Sequence, residues 1–151
     1  MTDLQALADR VEIAALQAEF TDASMMRDFD RLVSLFTPDG GMRWPHIDFE
    51  FAGRADIRAK IERLRGSWEF FVQNAHPGFI QLDGDTATGR TYVVEFGRFR
   101  EGGSHLNYAI YHDRYQRTAD GWKFAERVYE IQYADTTDLA GSPPHPVGAT
   151  P

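Results

Sequence analysis

Leu82-Asp83-Gly84-Asp85-Thr86-Ala87-Thr88-Gly89 is the stretch on which the fold turns. An Asp-Gly pair between runs rich in Val, Ile, Thr and aromatic residues marks a hairpin, because a tight turn needs backbone angles that glycine adopts without strain. The signal returns at Glu101-Gly102-Gly103 and Asp120-Gly121, so the chain after Trp68 reads as three or four strands in an antiparallel meander. Upstream the period changes. Leu4, Leu7, Val11, Ile13, Leu16, Phe20, Leu32, Leu35 and Phe36 recur mostly at three- and four-residue spacing, which is helical. Asp3 is a candidate N-cap, and Met26-Arg27-Asp28-Phe29 separates a long helix from a shorter one that ends before Thr37-Pro38-Asp39-Gly40. Met42 to Phe51 reads as a short strand or extended loop. Gly53-Arg54-Ala55-Asp56 then opens another helix, with Ile57, Ile61 and Leu64 inward and Arg58, Lys60, Glu62, Arg63 and Arg65 mostly solvated. Helices first and strands afterwards is the order of an α+β domain whose helices pack on one face of a curled sheet.

The chain has 151 residues, 42% of them hydrophobic, which is enough for one domain with a real core. Residues 1–135 form that domain in this reading. From 136 to 151 the composition turns to Thr, Gly, Ala and Pro, a tail that wraps the surface or is disordered. A formal charge of -7 argues against nucleic acid or an anionic membrane as partner, since both present negative phosphate. The absence of cysteine excludes thiolate nucleophiles and cysteine-based metal sites. No stretch approaches the ~20 apolar residues of a membrane span, and Met1-Thr2-Asp3-Leu4 lacks the character of a signal peptide, so the expected location is cytoplasmic.

Leu7-Ala8-Asp9-Arg10, Asp28-Phe29-Asp30-Arg31-Leu32 and Leu35-Phe36-Thr37-Pro38-Asp39 resemble the opening of SnoaL-like proteins of the nuclear transport factor 2-like superfamily. The hairpin at 82–89, Tyr111-His112-Asp113-Arg114-Tyr115 and Asp120-Gly121-Trp122-Lys123-Phe124 resemble the strand–turn–strand signatures of the same group. The resemblance covers roughly residues 4–135. It implies a cystatin-like cone, a curved antiparallel sheet with N-terminal helices on its concave face, enclosing a pocket for a small hydrophobic, oxygenated molecule. It also implies a choice of chemistries that need no cofactor, among them isomerisation, dehydration and cyclisation, because fold does not fix chemistry.

The dehydratase and dehydrochlorinase branch uses an Asp–His pair. Laid on this chain, the resemblance puts the Asp at Met25, the His near Gln73, and a tyrosine of the bile-acid dehydratase at Phe20. None of the three side chains present can serve as a base. The non-catalytic alternative, a binding or accessory protein that keeps the container, follows from these replacements.

Other residues are candidates for the chemistry. His76, in Asn74-Ala75-His76-Pro77-Gly78, is either a proton-transfer group or a turn histidine. Period-two alternation, with strand registers as in the family, places Val93 and Glu95 on the concave face, with Asn107, Ala109 and Tyr111 on the next strand and Arg127, Tyr129 and Ile131 on the last. Glu95 and Arg127 are expected to pair, as base and oxyanion binder or as a structural ion pair. Tyr111 and Tyr129 either donate to a ligand carbonyl or fill the wall. The expected catalytic set is therefore His76, Glu95 and Arg127, and the binding set Phe20, Met25, Gln73, Asn107, Tyr111 and Tyr129. His46 and Asp48 lack a third ligand, so no metal site is expected. His112 and Asp113, as strand neighbours, point to opposite faces. Tyr92, Val94, Phe96, Tyr108, Ile110, Trp122 and Phe124 fall on the outer face in this register. That much apolar surface predicts a homo-oligomer, a dimer or trimer formed by packing sheets together.

Overall fold

The structure is a computed structural model that describes residues 3–145. Helix α1 spans Leu4–Met25, its first turn capped by Asp3, whose carboxylate accepts from the amides of Gln5 and Ala6. The buried stripe is Asp9, Ile13, Leu16, Gln17, Phe20, Ala23 and Ser24, whereas Leu4, Leu7 and Val11 lie exposed on the other side. Arg27, in the left-handed region at φ 55, ends the helix. Asp28 then caps α2 (Phe29–Ser34). Helix α3 spans Arg54–Ser67 and buries Ile57, Ile61 and Arg65.

Six strands form one sheet in the order β2-β1-β6-β5-β4-β3. They are β1 Phe36–Trp44, β2 Phe49–Ala52, β3 Trp68–Asp83, β4 Thr86–Phe99, β5 Ser104–Thr118 and β6 Gly121–Asp135. The four long strands form the meander marked by the glycine turns. The first two add what local pattern did not reveal: Thr37-Pro38-Asp39-Gly40 lies inside β1 rather than in a turn, and β1 pairs parallel to β6. The pairing is irregular between Phe36 and Gly41, where Pro38 has no amide to give to a ladder.

Between α1 and the concave face lies an aromatic core. Phe20 meets Phe36, Phe124 and Tyr111 edge-on at centroid distances of 6.1, 5.9 and 5.8 Å. Phe124 and Trp122, expected outside, are buried here. The cause is a bulge: Arg114 pairs with Glu126 but Tyr115 with Phe124, so Ala125 is an extra residue in β6 and the inward alternation shifts by one. Tyr92, Tyr108 and Tyr133 are exposed on the convex face. At one edge of that face the segment after β6 is held down, with Arg98 Nη1 donating to the carbonyls of Leu139 and Gly141 and Ser104 Oγ accepting from the Leu139 amide. Residues 146–151 of the tail lie outside the described residues. No described helix is long and apolar enough to cross a membrane.

Candidate functional site

The strand registers sort the polar side chains of the concave face into two groups. In the first, Asp113 of β5 faces Arg127 of β6. Arg127 Nε and Nη2 donate to the two Asp113 oxygens at 2.8 and 3.1 Å, a two-point contact that is fully buried. The expected Glu95–Arg127 pair is therefore not formed. Glu95 is in register with Asn107 and Arg127 with Asp113, rows separated along β5, so the nearer carboxylate takes the guanidinium.

Asp113 also accepts from Thr91 Oγ1 at 3.1 Å and from the Tyr115 hydroxyl at 2.9 Å, and that hydroxyl accepts from Gln17 Nε2 at 2.7 Å. Aromatic faces complete the enclosure, with the guanidinium carbon 3.9 Å from the Tyr111 ring centroid and 4.3 Å from those of Phe20 and Phe124. Burial alone would lower the Arg127 pKa. The charge and hydrogen bonds of Asp113 outweigh it and hold the pKa above its ordinary value. Beyond this network Arg117 grips both oxygens of Asp9 at 2.7 and 2.8 Å, and Trp122 Nε1 donates to the same carboxylate at 3.1 Å.

The second group centres on Glu95. Its Oε1 accepts from the Tyr129 hydroxyl at 2.5 Å and its Oε2 from Gln73 Nε2 at 2.9 Å. Asn107 Nδ2 donates to the Tyr129 hydroxyl at 3.3 Å, and Thr21 Oγ1 to Gln73 Oε1 at 3.3 Å. Burial, and after it the charge of Glu95, pushes the Tyr129 phenol above its ordinary pKa, so it remains a donor. Tyr111 is raised for the same two reasons. His46, from the 3-10 turn Pro45–Ile47, has its ring centroid 5.9 Å from that of Tyr129. Its pKa is lowered by burial and by His105, with Glu95 acting the other way.

Several enclosed polar atoms here have no hydrogen-bond partner among the described residues: Asn107 Oδ1, Trp44 Nε1, and Nε and Nη1 of Arg65. Gln17 Oε1, in the first group, also lacks a partner, but most of the orphaned atoms of the concave face fall in the second group, and enclosed polar atoms are normally satisfied, so a ligand there can supply the missing partners.

The other sequence-derived residues fall as follows. Met25 and Gln73 meet, the Gln73 amide donating to Met25 Sδ at 3.2 Å, so the two positions that the resemblance assigns to the Asp and the His are neighbours between α1 and β3. Phe20 lies with Arg127. His76 is exposed and pairs with Tyr92, itself exposed, while the intervening Ala75 is in register with buried Val93. The histidine therefore lies on the convex face, away from Glu95. Among the described residues no group of three His, Cys, Asp or Glu side chains is arranged to hold a metal ion.

Sequence reasoning missed Asp113 and Arg65. Both carried a signal: 113 continues the alternation 107, 109, 111, and 65 continues the four-residue spacing of Ile57 and Ile61.

Helices laid on the concave face of a curved, unclosed sheet, with a polar cluster between the layers, define the nuclear transport factor 2-like α+β class. Within it, the chain belongs to the SnoaL-like domain family, whose model matches residues 5–128. An uncharacterised protein of Mycobacterium tuberculosis H37Rv is 28% identical over 137 residues, 85% of this chain and 88% of that protein. In solved structures the fold recurs in a hexachlorocyclohexane dehydrochlorinase of type 3 from Novosphingobium barchaimii, with TM-score 0.85 and 22% identity over 95% of this chain and 100% of that one. It recurs also in a nuclear transport factor 2-like protein with a cystatin-like fold from Novosphingobium aromaticivorans, with TM-score 0.74 and 26% identity over 87% and 92%. At the dehydrochlorinase's level of identity the likeness shows the fold alone.

Proposed function

We propose that the chain takes a small, largely apolar, oxygenated molecule between α1 and the concave face and moves a proton on it without a cofactor, as an isomerase, dehydratase or cyclase. The observation that carries this reading is the setting of Glu95. Its two oxygens are held by neutral donors, Tyr129 and Gln73, rather than by a cation. Donors of this kind orient the carboxylate without setting a counter-charge against it, the arrangement a positioned general base uses. In the proposed step Glu95 takes a proton from a carbon beside a carbonyl, and the C–H electron pair moves into the new C=C bond as charge develops on oxygen. Return of the proton to a different carbon is isomerisation; departure of a β-hydroxyl with a proton is dehydration. The activity named for the dehydrochlorinase is likewise an elimination, which agrees with this class of chemistry.

The contact between Met25 and Gln73 favours a second reading, a protein that binds the same kind of molecule and leaves it unchanged, since neither side chain takes up a proton. Deuterium exchange separates the two. Cyclic enones and β-hydroxy ketones are incubated with the protein in D₂O and followed by NMR. Proton transfer predicts label beside the carbonyl, with a rate that falls about 100-fold or more in Glu95→Gln. A compound that binds but never exchanges supports the second reading, and exchange undiminished in Glu95→Gln removes Glu95 from the chemistry.

A further inference from the structure

Arg65 lies in the last turn of α3, on the stripe begun by Ile57 and Ile61, so its side chain runs beneath the helix and is only 7% exposed. Its guanidinium carbon sits 4.4 Å from the Phe71 ring centroid, and Nε and Nη1 are enclosed without a hydrogen-bond partner among the described residues. An arginine at a helix C-terminus ordinarily donates to the last carbonyls. Here each of those carbonyls has another donor, and none accepts from Arg65. Leu64 O accepts from Ser67 Oγ at 2.6 Å, Arg65 O from the Trp68 amide, Gly66 O from Arg100 Nε at 3.0 Å, and Ser67 O from the Arg100 amide at 3.0 Å.

The charged groups that act on Arg65 are Arg27, which repels it, and Glu95, which attracts it but whose oxygens are engaged by Tyr129 and Gln73. Burial and Arg27 bring its pKa down to about 10, which still leaves it positive at neutral pH. What remains is a planar cation with an aromatic ring over one face and in-plane donors unspent. That is the complement of a planar anion.

We propose that Arg65 is a ligand-binding residue whose donors receive an ionised oxygen, a carboxylate or an enolate, carried by a small aromatic or alicyclic molecule. This deepens the proton-transfer reading and rests on it for where the ligand lies. A base at Glu95 and a cation at Arg65 would act on the same molecule, one removing the proton and the other receiving the charge that appears on oxygen.

Binding, rather than turnover, tests the assignment, so that it can fail separately from the role of Glu95. The full chain is titrated calorimetrically with 2-naphthoate, with 1,3-indanedione as its enolate, and with methyl 2-naphthoate as the neutral counterpart. At least one anion is expected to bind about tenfold or more tightly than the ester, and which anion does so separates the carboxylate from the enolate source. In Arg65→Gln, shown by circular dichroism to be folded, the preference disappears; Arg65→Lys restores part of it. Glu95→Gln keeps the preference whatever becomes of exchange. Equal binding of anion and ester, no binding of either anion, or a preference that persists in Arg65→Gln overturns the proposal.

Discussion

Arg127 and Arg65 are both buried guanidiniums stacked on aromatic rings, and their surroundings differ in one respect. Around Arg127 the principal charge is answered: Asp113 takes it at two points and is itself held by Thr91 and Tyr115. Around Arg65 the enclosed donors are unanswered, and the nearby Glu95 is committed to neutral partners. A satisfied ionic network fixes how layers pack. An unsatisfied one holds electrostatic potential for something that arrives later. On the reading proposed above, the first region serves as scaffold and the second as site; sequence patterning singles out Arg127 for chemistry, and its pairing with Asp113 is what moves the proposal to Arg65.

The comparison breaks most directly at Asp113. Asp113→Leu leaves the Arg127 guanidinium buried without its partner and is expected to cost about 3–5 kcal/mol, read as a lower denaturant midpoint. A loss below about 1 kcal/mol would mean that water or another acceptor reaches Arg127, and the distinction between the regions would fall.

Arg65→Met is the counterpart. Removing a cation that has no partner while keeping its apolar volume should leave stability unchanged or raise it by about 1 kcal/mol, measured in the same denaturation experiment. A large destabilisation would show that Arg65 also holds the fold together.

A pH dependence follows from Asp9. Its hydrogen bonds to Arg117, with those of Trp122 and Gln5, hold the carboxyl well below its ordinary pKa. A carboxyl depressed in the folded state contributes stability above its unfolded pKa of about 3.9, and that contribution fades as pH falls toward the folded value. Asp9→Asn should therefore lower stability at neutral pH and flatten the acid limb of the stability curve below about pH 4. An acid limb identical to that of the parent chain would show that this end of the molecule draws nothing from the pair.

How far these regions were legible in the sequence follows from the range of the signals. The meander was written in its glycine turns and the long helix in its period, both of which act over a few residues. Alternation, with the strand registers that the family resemblance implies, put Glu95, Asn107, Tyr111, Arg127 and Tyr129 on the concave face, but a period says which face a side chain occupies and not how far along the sheet its neighbour lies. Pairing Glu95 with Arg127 required register across three strands. Only the ladder shows Asp113 opposite Arg127, and only the bulge at Ala125 explains why Trp122 and Phe124 turn inward. Arg65 reads as solvated from its charge, although its interval from Ile61 equals that from Ile57 to Ile61 and the helix buries all three.

Local properties of the chain, its propensity, turn chemistry and periodicity, were enough for the three helices, the four-strand meander with its glycine turns, and the α+β class. Tertiary structure alone decided the parallel seam between β1 and β6, the partner of each buried charge, and the concentration of unpaired polar atoms around Glu95 and Arg65. Those features depend on residues far apart in sequence meeting at hydrogen-bond distance.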